Sequence, residues 1–366
     1  MIMDILKIKK NELIVSRAGT AVYLILKANR IEGRKVIVPA NLCYAAIYPI
    51  LYSGNEPLFI DVSYDDGNVT YREIEEAVRK AADTNRSGDI AAAILPHMYG
   101  NPISDIEKIC RFLRENDIIS IEDCASAMGA EIVRDKAVRD ASESKMLCGS
   151  AGDYGIFSTG YSKTIDVGGG GIIISDNDLS EESRIYAALD EKQDIGEIND
   201  SFFSKLYRLI RNTPQQTLTK AVWSGLADAM RPTFIFHDSE IEQKMIEALP
   251  ELPGIIRERR EKCTEYDSLI HYGDTFRRYN FHDGAAPWRF NLWVCESQRN
   301  DVVSYLLENK VPVSDWYPAV TPIFGIDAST YPNAEKMGNT ILNFPLLIED
   351  DEIKRICKCI NDAQRH

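Results

Sequence analysis

Short apolar runs alternate with longer segments of helical periodicity through the first half of the chain. The runs are Val36–Val38, Pro57–Ile60, Ala91–Leu95, Ile118–Ile121, Gly155–Phe157 and Gly171–Ile174. Helix-length segments lie between them, near 41–53, 70–83, 102–116 and 178–190. Strands alternating with helices predict βαβ units and a mainly parallel sheet. The runs are continuous, as expected of strands buried on both faces. Polar residues break the pattern in one kind of place: Asp61, Pro96-His97, Glu122-Asp123 and Ser158 each follow an apolar run. In an open α/β sheet those positions are the carboxyl ends of strands, where ligands bind. Singly, each reads as a cap or turn residue; together they point to a site.

The character changes after about residue 195. Phe202, Phe203, Leu206, Leu209 and Ile210 recur at helical spacing, with Lys205, Arg208 and Arg211 between them. A core or dimer-interface helix is the plainer reading, a membrane-surface helix the alternative. Pro232 and the polar stretch after it mark a domain edge. Beyond it the pattern predicts a helix over 240–270, a strand at 290–294, a helix over 300–309, a short strand at 311–315 and a last helix over 350–363. That is a smaller α/β domain at 236–366, following a large domain at 1–235.

A length of 366 residues also fits about two domains at ~150 residues each. Apolar residues make up 45% and charged residues 27%, which excludes a disordered chain. The net charge of −14 excludes a general nucleic-acid binder but allows a local basic pocket for a phosphorylated small molecule. The eight cysteines form no CxxC pair, so no metal site is expected. Free thiols in a reducing cytoplasm are the simplest reading. No secretion signal is expected at the start. Nor does any run approach the ~18 apolar residues of a membrane span.

The chemistry concentrates in 152–176, GDYGIFSTGYSKTIDVGGGGIIISD. Lys163 stands in a small polar loop shortly before four glycines. The segment is not a P-loop, and Ile173 breaks a dinucleotide fingerprint. Its counterpart is Ile121–Ala130, IEDCASAMGA. A carboxylate at the end of a buried strand is costly without a cation. Asp123, followed by small residues, leaves room for a flat ring. A lysine able to form a Schiff base and an aspartate able to hold a pyridinium nitrogen are what pyridoxal 5'-phosphate requires. Ser16-Arg17-Ala18-Gly19-Thr20-Ala21, opening a helix-like run, offers backbone N–H groups for a phosphate.

At these residues the sequence resembles the DegT/DnrJ/EryC1/StrS sugar aminotransferases, which are of PLP fold type I. The family's SGTxAL resembles Arg17–Val22, its VFVDVD resembles Leu58–Ser63, and its VHLYG resembles Pro96–Gly100. Its IEDAAQAxGA resembles Ile121–Ala130, and its GDxGxFSFxxxKxxxxGEGG resembles Gly152–Gly171. The resemblance covers about 13–185 and 240–362. It implies a large domain with a mainly parallel seven-stranded mixed sheet between helices, plus a smaller C-terminal α/β domain.

The resemblance also implies roles. Lys163 would form the Schiff base and shuttle protons at the substrate carbon, and Asp123 would pair with the ring nitrogen. Gly19, Thr20, Ala21 and Ser158 would hold the phosphate, and Ser126 would lie near the ring's 3′-oxygen. Departures are Cys43 where the family stacks an aromatic, with Tyr44 as its substitute, and Gly169 for the Glu of GEGG. Ile235 stands where the family's Asn reaches the partner's phosphate, with His237 as a possible replacement.

His97 and Arg289 are candidate substrate residues, the arginine for a donor carboxylate. Each also has a structural alternative, a hydrogen-bonded strand end and a surface ion pair respectively. Trp316-Tyr317-Pro318 lines a sugar pocket or simply packs. The expected activity is amino transfer from an amino acid, glutamate above all, to a nucleotide-linked keto-sugar. The expected assembly is a cytoplasmic homodimer with shared sites. The alternatives are a sugar dehydratase, whose branch replaces the lysine with histidine, and a degenerate cofactor-binding regulatory protein.

Overall fold

The structure, a computed structural model, describes residues 10–83, 87–133, 145–192 and 216–364, with 216–224 as backbone alone. The amphipathic stretch from Phe202 to Arg211 lies outside the described residues.

Seven strands form the main sheet: β1 (Asn11–Val15), β2 (Lys35–Pro39), β3 (Glu56–Ile60), β4 (Ile90–Pro96), β5 (Ile119–Asp123), β8 (Tyr154–Ser158) and β9 (Gly171–Ser175). A small hairpin, β6 (Glu131–Val133) and β7 (Lys145–Leu147), lies apart from it. The sheet order is β1-β9-β8-β5-β4-β2-β3. Pairing is parallel from β3 through β8, and only β9 runs against the rest. The expected mainly parallel, mixed seven-stranded sheet is therefore present.

The helices between these strands are α1 (Ala18–Ala28), α2 (Tyr44–Tyr52), α3 (Tyr71–Asp83) and α4 (Ile106–Glu115), followed by α5 (Ser180–Ala187). One sheet face packs α1, α2 and α6 (Gln216–Phe234) through Leu24, Ile47 and Phe234. The other packs α3 and α4 through Ile74 and Leu113. All seven residues of β4 are buried, as its unbroken apolar run requires of a central strand.

The predicted helix over 240–270 is two helices, α7 (Ile241–Ala248) and α8 (Leu252–Leu269). A single turn around Pro250, which has no backbone N–H to donate, separates them. The predicted strand at 311–315 shrinks to one bridge, Ser314 to Asn343, next to Pro312. The remaining elements are β10 (Phe276–Arg278), β11 (Phe290–Val294), α9 (Arg299–Glu308), α10 (Thr321–Phe324), α11 (Pro332–Thr340), β12 (Ile341–Phe344) and α12 (Asp350–Ala363). Strands β10, β11 and β12 form a second, antiparallel sheet with its own core, including Tyr266, Phe290 and Ile356. Ile241, Met245, Leu249 and Leu252 pack instead into the core of the large sheet. The small sheet is thus built mainly on the chain beyond the middle of α8.

Candidate active site

Strands β4, β5 and β8 are neighbours, and their carboxyl ends converge. Pro96 of β4 pairs with Asp123 of β5, and Asp123 with Ile156 of β8. A cavity of about 1080 Å3 opens over these ends. Asp123 at the end of β5, Ser126 just after it, Ser158 at the end of β8 and Lys163 in the loop that follows all line it, as do Trp288, Arg289 and Tyr317 from the small lobe.

Lys163 is half-buried, and its Nζ lies 3.3 Å from the Ser126 hydroxyl and 3.4 Å from the Tyr317 hydroxyl. Burial works against its ammonium form. Tyr317, Cys43 and Asp123 outweigh burial and raise its pKa above the usual lysine value. Ser162, just before it, is left-handed with φ +65°. Three contacts hold that unfavourable backbone in place. Its N–H donates to Asp166 (2.6 Å), its carbonyl accepts from the Trp288 indole (2.6 Å), and its hydroxyl accepts from Arg289 (2.7 Å).

Behind the loop, buried Arg259 donates to the Trp288 carbonyl and, at 3.4 Å, to the Lys163 carbonyl. Burial and the neighbouring Arg289 depress its pKa to about 10. Lysine loop and small lobe are therefore braced together.

Two adjacent carboxylates at the end of β5 differ sharply. Glu122 accepts four hydrogen bonds, from Gly149 (2.9 Å), Ala151 (2.6 Å), Gly152 (2.7 Å) and His97 Nε2 (2.9 Å). Burial pushes its pKa up, but these donors prevail and hold it below the usual carboxylate value. Asp123 points the other way along the pleat. It accepts one backbone N–H, from Ala125 at 2.9 Å, and burial raises its pKa despite Lys163. Among the described residues Asp123 makes no ion pair, and Lys163 acts on it only from a distance.

The comparisons with known proteins agree with this geometry. The sequence profile of the DegT/DnrJ/EryC1/StrS aminotransferase family matches residues 4–195, more than half of the 366. The chain belongs to the DegT/DnrJ/EryC1/StrS aminotransferase family. It is similar to the GDP-perosamine synthase of Escherichia coli O157:H7, 26% identical over 353 residues, covering 95% of this chain and 84% of that protein. It is also similar to the dTDP-4-dehydro-2,3,6-trideoxy-D-glucose 4-aminotransferase of Saccharopolyspora spinosa, 24% identical over 344 residues, covering 91% and 79%. The fold matches that of a DegT DnrJ EryC1 StrS aminotransferase from Brucella abortus, with a TM-score of 0.74 at 17% identity, covering 99% of this chain and 87% of that one. An aminotransferase with a PLP fold type I architecture is what the motifs implied.

The residues present fit the family's pyridoxal phosphate. Asp123 offers a buried carboxylate for a ring cation, and Lys163 an amine on the same cavity. Gly19 lies on the cavity wall at the N-terminus of α1, where a Cβ would come within 2.9 Å of the Ala45 carbonyl. Ser158 and Arg17 lie on the same wall.

Three expected site residues lie off this chain's cavity wall, and a fourth, His97, is engaged within it. The Thr20 hydroxyl donates to the Phe234 carbonyl (2.8 Å), and Ala21 is buried inside α1, so neither side chain faces the cavity. His97 has both ring nitrogens committed: Nδ1 accepts from Ile103 N–H (3.0 Å), which leaves the proton on Nε2 aimed at Glu122. The residue still lines the cavity, with its ring turned into these structural contacts. His237 pairs with Glu191 (2.7 Å), packs on Tyr186 and lies outside the wall of its own chain's cavity. Tyr44 and Cys43 both reach the wall. Sequence reasoning missed Arg259 and the task of Glu122, since the partners of both are remote in the chain.

Proposed function

We propose that this enzyme moves an amino group from an amino acid, glutamate being the reference donor, to a keto-sugar carried on a nucleotide diphosphate. The observation that carries the reading is Lys163 and Asp123 on one cavity wall, with Arg17, Lys192, Lys244 and Arg289 also lining it in a chain of net charge −14. A basic cavity in an acidic protein suits polyanionic substrates. The sugar substrates named for the relatives support this acceptor class.

When bound, pyridoxal phosphate supplies an aldehyde carbon and an electron-withdrawing ring. Asp123 holds a proton on the ring nitrogen, since an adjacent carboxylate favours the cation. Ser158 and the free N–H groups at the start of α1 bind the phosphate. The Lys163 amine takes and returns the proton at the substrate carbon. Arg289 holds the donor carboxylate as a two-pronged donor, giving up its contact to Ser162. Trp288, Arg289 and Tyr317 of the small lobe wall off one side of the cavity and shield it from water. The working unit is a homodimer in the cytoplasm.

The test is borohydride reduction of the enzyme with its cofactor, followed by peptide mass analysis. The label is expected on Lys163 alone, and Lys163→Ala should abolish both labelling and formation of 2-oxoglutarate from glutamate. Labelling elsewhere, or no amine delivered to any nucleotide-linked keto-sugar, overturns the reading.

A further inference from the structure

Tyr317 lies in the small lobe, far in sequence from every other residue of the lysine's surroundings. Its ring is fixed on two sides, stacked on Trp288 at 5.5 Å and tilted against Tyr99 at 6.0 Å. Its backbone N–H donates to the Tyr99 hydroxyl at 2.9 Å. The residue is 8% exposed, so the phenol has little freedom to swing away. What remains is its hydroxyl, held 3.4 Å from Lys163 Nζ and 3.5 Å from the Ser126 hydroxyl. Ser126 lies 3.3 Å from the same Nζ. The amine, the phenol and the serine thus form a closed triangle at the cavity.

We propose that the Tyr317 hydroxyl is a further catalytic group, one that holds the proton of the Lys163 amine and fixes the direction in which that amine delivers it. The inference rests on the reading of Lys163 as the reacting amine. While Nζ is an ammonium, it donates to the phenol oxygen. Once Nζ has passed a proton to the substrate carbon, the hydroxyl turns and donates to the nitrogen lone pair. No proton is gained or lost by the phenol over the cycle, so the step balances. Ser126 supplies the second arm, which stops the amine rotating about the line to Tyr317. Three other side chains act on Nζ electrostatically or by contact. Asp123 comes from the end of β5 and Cys43 from the start of α2, both favouring the ammonium, while the Trp288 ring lies 6.0 Å away. None of them places a hydroxyl on the amine.

The test uses Tyr317→Phe, which keeps the ring between Trp288 and Tyr99 and removes only the oxygen. In the full chain freed of cofactor, an amine-directed acylating reagent is applied across a pH series and the peptide bearing Lys163 is quantified. Losing an acceptor for the ammonium lowers the midpoint of labelling, here by about one pH unit. In the enzyme with cofactor, kcat for the glutamate half-reaction should fall by roughly 10- to 100-fold, with KM changed less than about threefold. Ser126→Ala should move the midpoint in the same direction by a smaller amount. An unmoved midpoint overturns the proposal even where transamination is intact. A lowered midpoint supports the contact even if the chain transfers no amine, and an unchanged kcat in an active enzyme overturns the catalytic role.

Discussion

Glu122 and Asp123 are neighbours in sequence with the same chemistry, yet the fold gives them opposite tasks. Strand alternation sends one to the loop over 149–152 and the other to the cavity. Asp123→Asn should leave the cofactor bound but reduce transamination by several powers of ten, because the amide cannot hold a ring cation. Near wild-type kcat would refute this. Glu122→Gln should act on stability instead. Its amide group turns a donor towards backbone N–H groups that now find a carboxylate oxygen, leaving a buried donor unsatisfied. A loss of ~2–4 kcal/mol in urea unfolding is expected. The pH sign follows from its depressed folded pKa. The stabilisation is present above the unfolded value of ~4.3 and fades as pH falls through the folded one. The variant should therefore lose much of the wild-type acid limb in a stability–pH profile; identical limbs would contradict it. The placement of Asp123 and Lys163 on one cavity was legible because Asp123 ends an apolar run and Lys163 lies in the loop that follows another. For His97 the sequence offered a hydrogen-bonded strand end but not its partner, because Glu122 lies on another strand and the sequence does not show that the two face each other.

At the scale of elements, hydrophobic periodicity located the six strands it predicted in the first half of the chain to within about two residues, since continuous apolar runs occur only where both sheet faces are covered. It missed β1, whose Asn11-Glu12-Leu13-Ile14-Val15 is largely half-exposed at the sheet edge and too short to stand out. It also fused α7 and α8, because a single turn around Pro250 leaves the apolar spacing almost undisturbed. What no pattern conveyed is the brace between elements: Arg259 of α8 and Trp288 and Arg289 beside β11 all contact the lysine loop. This brace gives Arg289→Lys a distinct signature. A lysine cannot grip a carboxylate with two parallel donors. The variant should raise KM for glutamate by roughly tenfold or more while sugar binding changes little. Equal effects on both substrates would assign Arg289 to loop support alone.

For the whole molecule, the resemblance to fold type I implies two copies sharing their active sites. The segment that would reach the partner is instead tied to its own α1. Arg17 donates to the Thr233 carbonyl (2.8 Å), Thr20 to that of Phe234 (2.8 Å) and Ser16 to that of Phe236 (2.6 Å). Ile235 lies beside these contacts, and His237 is held by Glu191. At the cavity rim Tyr161 is 88% exposed, an aromatic ring that a second subunit would cover. Burying such a side chain contributes ~1.5–3 kcal/mol to association. Sedimentation should therefore report a particle of twice 41.3 kDa, and Tyr161→Ser should weaken it. His237→Ala should leave the cofactor's dissociation constant within about twofold, since a lost hydrogen bond to a charged group would cost more than that. If His237→Ala released the cofactor tenfold more readily, the histidine would have to leave Glu191 in the dimer and reach a phosphate. A monomer with full turnover would remove the shared site altogether.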